Sequence, residues 1–159
     1  MKIKEGDKIP NSEFYHLDEN GAPKKISSSE LFENNKTIVI GVPGAFTKVC
    51  SAKHLPGYIN YNDTIINKGV DKIMCFAVND PHVMKAWAEQ NGVVEKIDMI
   101  SDADASYTKK LGLQHFYPAM GERSLRFAII IDDLVVKNLF VEKVGVFDVS
   151  RAENIIKFL

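Results

Sequence analysis

TIVIGVPGAFTKVC, residues 37–50, leads from an apolar, β-branched run through a short loop to one of only two cysteines in the chain. TIVIGV has the composition of a buried strand. Pro43 and Gly44 interrupt it. The following SAKHLPGYINYNDTII (51–66) reads as a helix, with Pro56 and Gly57 predicting a kink or break within it. A cysteine used for packing alone would sit inside an element, whereas Cys50 sits where a loop becomes a helix. Unpaired N–H groups and a partial positive charge at such a place favour the thiolate, and thiol pKa values there fall to about 3.5–7.5. Cys50 is therefore a candidate nucleophile, set against the plainer reading of a small apolar residue closing a turn.

Outward from this stretch the strand–helix alternation continues. KIMCFAVN (72–79) is another buried parallel strand, and PHVMKAWAEQNG (81–92) is a helix with proline at its start and glycine at its end. KIDMIS (96–101) reads as a strand and ASYTKKLG (105–112) as a short helix. SLRFAIIID (124–132) and LVVKNLFVE (134–142) flank the Asp132-Asp133 hairpin signal. SRAENIIKFL (150–159) reads as a last helix opening at Ser150, with Glu153 completing a capping box. Ahead of the central strand, SEFYHL (12–17) with DENGAP (18–23) forms the first arm of a hairpin, and SSSELFENN (27–35) a short helix. The economical arrangement is an α/β fold of thioredoxin-like architecture, a central mixed β-sheet with helices on both faces. Residues 1–159 form one domain in this reading.

The chain has 45% hydrophobic and 26% charged residues, with 20 basic against 21 acidic side chains and a net charge of −1. The near-balance leaves no electrostatic footprint for nucleic acid. No apolar run approaches the ~20 residues that span a bilayer, and the charged MKIKEGDKIP start is unlike a signal peptide. The expectation is a cytoplasmic protein, or an organellar one if a targeting segment has been removed. A core of this size needs no disulfide, so two thiols are the default in a reducing compartment.

Three thiol chemistries, and a metal site beside them, compete for Cys50. Dithiol exchange needs C-x-x-C, but the run is Cys50-Ser51-Ala52-Lys53. A cysteine hydrolase needs a histidine base and a partner to orient it, and His16, His54, His82 and His115 stand in no such context. His54, one helical turn after Cys50, is within reach of it or lies on the helix surface. A metal site needs three or four converging ligands, and Cys50 with His54 supplies two.

The third chemistry is that of a peroxidase thiol. GVPGAFTKVCSAKHLPGY (41–58) resembles the active-site segment of the peroxiredoxins, in the branch of five-type and plant type-II enzymes. The pattern P-x-x-x-T/S-x-x-C is met by Pro43, Thr47 and Cys50, and GVPGAFT and HLPGY narrow the match. The resemblance continues through FAVNDPHVMKAW (76–87), ISDADASYTKKLGL (100–113), RSLRFAIIIDD (123–133) and NIIKFL (154–159).

The resemblance implies a thiol peroxidase in which Cys50 takes an oxygen from hydrogen peroxide or an alkyl hydroperoxide and becomes a sulfenic acid. Thr47 and Arg126 are the implied catalytic partners, and Pro43, Thr47, Val49 and Arg126 the implied peroxide contacts. A guanidinium presents a rigid, permanently charged fork suited to holding both peroxide oxygens. Arg123 is the competitor for that role, its plainer reading being an ion pair at the strand edge. No metal and no redox cofactor is implied, because sulfur carries both electrons.

Two positions depart from the family pattern. Lys48 stands where most members have proline, and its ammonium favours the thiolate or points to solvent. Val149 stands where five-type enzymes have a resolving cysteine. Cys75 matches a second cysteine of plant type-II members, with burial in a strand as its plainer reading. An external reductant is thereby implied, glutathione with glutaredoxin or thioredoxin, together with a homodimer. A peroxide sensor or redox relay would use the same cysteine.

Overall fold

The computed structural model describes residues 2–49, 53–93 and 96–159. Seven strands form one sheet: β1 (Glu13–Leu17), β2 (Pro23–Ser27), β3 (Lys36–Val42), β4 (Lys72–Ala77), β5 (Asp98–Ser101), β8 (Phe127–Asp132) and β9 (Val135–Val141). Their spatial order is β2-β1-β5-β4-β3-β8-β9. Strands β3, β4 and β5 are parallel, and antiparallel neighbours complete both sides. This is the expected mixed sheet of a thioredoxin-like fold.

Strict alternation along the strands sorts the core into two layers. Ile38, Ile40, Val42, Ile73, Cys75, Ala77, Ala128 and Ile130 point to one face. Leu55 and Tyr58 of α2 (Leu55–Asn60), Ile65 of α3 (Asn62–Asn67), Met84 and Trp87 of α4 (Pro81–Asn91) and Ile155 of α6 (Ala152–Ile155) cover them. Val39, Met74, Phe76, Phe127 and Ile129 point the other way, under α1 (Ser28–Phe32) and α5 (Ser106–Leu111).

Local chemistry sets most boundaries as expected. Asp80 caps α4 by accepting from the Val83 N–H, Pro81 opens that helix, and Gly92 closes it in the left-handed region at φ 68°. Asp18 accepts from the Asn20 and Ala22 N–H groups and so closes the β1–β2 turn.

Four expectations are corrected. The helix after Cys50 breaks at Tyr61, between α2 and α3, and not at Pro56-Gly57, because Pro56 falls in the first turn of α2 where no N–H is needed. The hairpin loop is Asp133-Leu134, both at positive φ, one residue later than the Asp132-Asp133 reading. The last helix has no capping box: its N-cap is Arg151, and the Ser150 hydroxyl donates instead to Glu142. Finally, the strand drawn from Ser124 is two elements. Ser124 ends β7 (Gly121–Ser124), which pairs with β6 (Gln114–Tyr117) in a separate two-stranded sheet, and Arg126 lies just ahead of β8.

Gly41, the penultimate residue of β3, lets the Phe127 ring lie directly over the backbone, and a Cβ there would overlap the ring. Gly41→Ala is therefore expected to destabilise the protein by roughly 1–3 kcal/mol or more, as overpacking does. Chemical denaturation of the variant measures this.

Candidate active site

Strand β3 ends at Val42 and delivers the Pro43–Thr47 loop to the C-terminal edge of the parallel strands, where open α/β sheets place their sites. Each bond in this loop holds a backbone group. Asn79, just past β4, accepts from the Ala45 N–H at 2.8 Å. The Thr47 hydroxyl donates to the Gly44 carbonyl at 2.7 Å. Arg123 donates through Nε to the Met120 carbonyl and through Nη1 to that of Pro43, which ties the β6–β7 hairpin to the loop. A Cβ on Gly44 would come within 2.9 Å of the same Nη1, so a larger residue there would displace the end of the Arg123 side chain. Arg123 thus bonds carbonyls, and the strand-edge ion pair expected of it is not among its contacts in the described residues. Lys48 and Val49 are already helical, so the turn begins before residue 50. Cys50, with Ser51 and Ala52, lies outside the described residues, and so does the expectation about its position.

Pro43, Thr47, Lys48, Val49 and Arg126 line one cavity of about 250 Å³. Four of the residues expected at the site, Pro43, Thr47, Val49 and Arg126, are brought together here. Tyr117 and Met120 of the β6–β7 hairpin and the 142–147 segment complete its walls. Cys75 is not among the lining residues: it is fully buried in mid-β4, paired with Ile40 and Met99.

The Arg126 guanidinium is held from behind. Its Nη1 lies 3.0 Å from Nδ1 of His54. Arginine only donates, so Nδ1 accepts and the ring proton sits on Nε2, 3.3 Å from the Ser150 carbonyl that it donates to. His54 is fully buried, which corrects the helix-surface reading. Burial, and then the Arg126 charge, push its pKa down to about 3. The Tyr58 hydroxyl donates to the same Ser150 carbonyl at 2.7 Å, and burial pushes that phenol well up. The Phe147 ring centroid lies 5.8 Å from the Arg126 guanidinium carbon.

Ser150 is placed in turn by Glu142. This buried carboxylate accepts from the N–H groups of Asp148, Val149 and Ser150 and from the Ser150 hydroxyl. His54, Glu142 and Ser150 are the residues that sequence reasoning missed. The one signal was the four-residue spacing from Cys50 to His54; nothing local marks Glu142.

A constrained loop that leads in sequence to a cysteine, and a cavity walled by that loop and an anchored arginine, suit a thiol enzyme on a thioredoxin-like fold. The Redoxin family model matches residues 4–156. Peroxiredoxin-2B of Arabidopsis thaliana is 42% identical, covering 97% of this chain and 96% of the relative. Reduced Prx3 from Vibrio vulnificus in complex with hydrogen peroxide superposes with a TM-score of 0.94 at 44% identity, covering 98% of each chain. The Plasmodium falciparum antioxidant protein, a 1-Cys peroxiredoxin, superposes with a TM-score of 0.91 at 33% identity over 98% of each. The chain belongs to the Redoxin family and, within it, to the peroxiredoxins of the type-II branch, which are thiol peroxidases.

Neutral, buried His54 has a folded-state pKa near 3 against an ordinary 6.5. The unfolded chain therefore binds the extra proton first, and stability is complete above pH 6.5 and declines as pH falls from there toward 3. Between pH 7 and pH 5 the ideal loss from this group is about 2 kcal/mol. In His54→Gln, urea unfolding at the two pH values is expected to show that part of the difference gone.

Proposed function

We propose that residues 1–159 act as one domain in which Cys50 reduces hydrogen peroxide and alkyl hydroperoxides, with Thr47 and Arg126 as its partners. The observation that carries this reading is the Arg126 guanidinium, held by neutral His54 at the wall of the cavity that also receives Thr47 and the loop leading to Cys50. The Cys50 thiolate attacks the terminal peroxide oxygen in line with the O–O bond. Arg126 keeps the thiolate charged, fixes the peroxide and offsets the charge that moves to the leaving oxygen. Thr47 is placed by its bond to Gly44 to present its oxygen to the same ligand. Pro43 and Val49 exclude water from one side. The Prx3 relative, described in complex with hydrogen peroxide, supports the choice of ligand.

The sulfenic acid is reduced by an external thiol, glutathione with glutaredoxin or thioredoxin. Cys75 lies two residues before the end of β4, ~7 Å of strand at ~3.3 Å per residue, with its side chain among the core residues of that face. A direct disulfide needs Cα atoms about 4.4–6.8 Å apart and side chains facing each other. The 1-Cys relative from Plasmodium falciparum supports a cycle without a second cysteine. The active unit is a homodimer, and solution mass tests this directly. No helix among the described residues is long and apolar enough to cross a membrane, and the working place is the cytoplasm or an organelle.

Cys50→Ser is expected to abolish peroxide consumption with the fold retained, because a hydroxyl is a far weaker nucleophile. Arg126→Lys is expected to lose about a hundredfold in kcat/KM, the scale for removing one preorganised donor. Stopped-flow peroxide assays read both, and a silent Arg126→Ala beside a damaging Arg123→Ala would reverse the arginine assignment.

Cys75→Ser is expected to retain turnover. After one equivalent of peroxide and excess glutathione, mass spectrometry is expected to find the adduct on Cys50. A dominant Cys50–Cys75 disulfide would reject the one-cysteine cycle.

A further inference from the structure

We propose that this cavity selects hydroperoxides bearing both an apolar chain and a carboxylate, and that Lys48 and Lys143 hold the carboxylate. The inference rests on the peroxidase reading above and names its substrate class.

Lys48 and Lys143 come from different segments, one just ahead of Cys50 in sequence and one after β9, and both line the cavity. Both are exposed. Among the described residues neither is ion-paired with a carboxylate. Glu142 is the one acidic residue among the described lining residues, and both its oxygens are turned to the 148–150 backbone, whose N–H dipoles offset its charge. Arg126 adds a third cation in the interior. The cavity therefore presents net positive charge between low-dielectric walls, an arrangement that concentrates anions.

The rest of the lining is largely apolar. Val49, Leu125 and Phe147 stand with Val144 and Val146, which carry the apolar surface outward at 53% and 45% exposure. Hydrogen peroxide uses neither the apolar wall nor the lysines, and a neutral alkyl hydroperoxide uses the first alone. An acid with an apolar chain uses both, and each methylene removed from water favours its binding by about fourfold. Lys48 occupies the position where the family pattern has proline, so this charge is a property of the present chain.

The chemical step is unchanged. The Cys50 sulfur forms an S–O bond to the terminal oxygen as the O–O bond breaks, and it is oxidised by two electrons to the sulfenic acid. The leaving alkoxide takes a proton and departs as the hydroxy acid.

The test compares kcat/KM for linoleic acid hydroperoxide with that for its methyl ester, both kept below micelle-forming concentrations, with a small-thiol reductant in excess. The acid is expected to be preferred by about fivefold to tenfold, the scale of two solvent-screened charge contacts. The preference is expected to fall toward one in the Lys48→Gln/Lys143→Gln double variant, and to invert in Lys143→Glu. It is also expected to fall in the unaltered protein at ~1 M salt, where the screening length shrinks to ~3 Å. Equal rates for acid and ester, or a preference that survives both lysine substitutions and high salt, would overturn the proposal. Hydrogen peroxide turnover in the same samples separates the two readings: if it is present without acid preference, only this inference fails, and if it is absent, the peroxidase reading fails.

Discussion

The hydrogen bond between the Arg126 guanidinium and Nδ1 of His54 exists only while the imidazole is neutral. A protonated ring would present N–H to N–H beside a permanent cation. The structure meets this condition by burying His54 completely and by giving its other nitrogen a carbonyl, that of Ser150, to donate to. The ring is thus fixed in one tautomer, and the arginine is aimed by a group that does not titrate across the neutral range. The imidazole itself is closed to solvent.

That arrangement needs the Ser150 carbonyl at one place, and the 142–150 segment has no regular structure of its own to hold it there. Glu142 supplies the constraint. Its buried carboxylate gathers three backbone N–H groups and a hydroxyl from residues 148–150. A buried carboxylate is costly unless satisfied by donors, and satisfied in this way it rigidifies what surrounds it. The loop before Cys50 is treated alike, with Asn79 and Arg123 bonded to its backbone from two other elements. The two walls of the cavity are therefore rigid for the same reason: polar backbone groups at the end of a sheet are paired by side chains from distant parts of the chain.

Most of the fold was legible because it follows local rules. Continuous apolar runs mark β3, β4 and β8, and Pro81 and Gly92 mark the ends of α4. The β6–β7 hairpin was not legible. Its four-residue strands are partly exposed and carry no alternation strong enough to separate QHFY from a loop. Ser150 misled for a related reason: serine followed three residues later by glutamate satisfies the pattern of a capping box, but a buried carboxylate outside the helix competes for the hydroxyl and wins.

The sequence by itself determined the class of protein, because the motif around Cys50 is a local pattern, and its resemblance to the peroxiredoxins named Cys50, Thr47 and Arg126 as the expected chemical actors. The tertiary structure alone decided how Arg126 is held. His54, Glu142 and Ser150 are separated from one another by up to 96 positions, and no spacing rule connects them. It also decided that Lys48 and Lys143 share one cavity. Periodicity records which way a residue faces within its own element, whereas a convergence of this kind depends on which elements the sheet order places side by side.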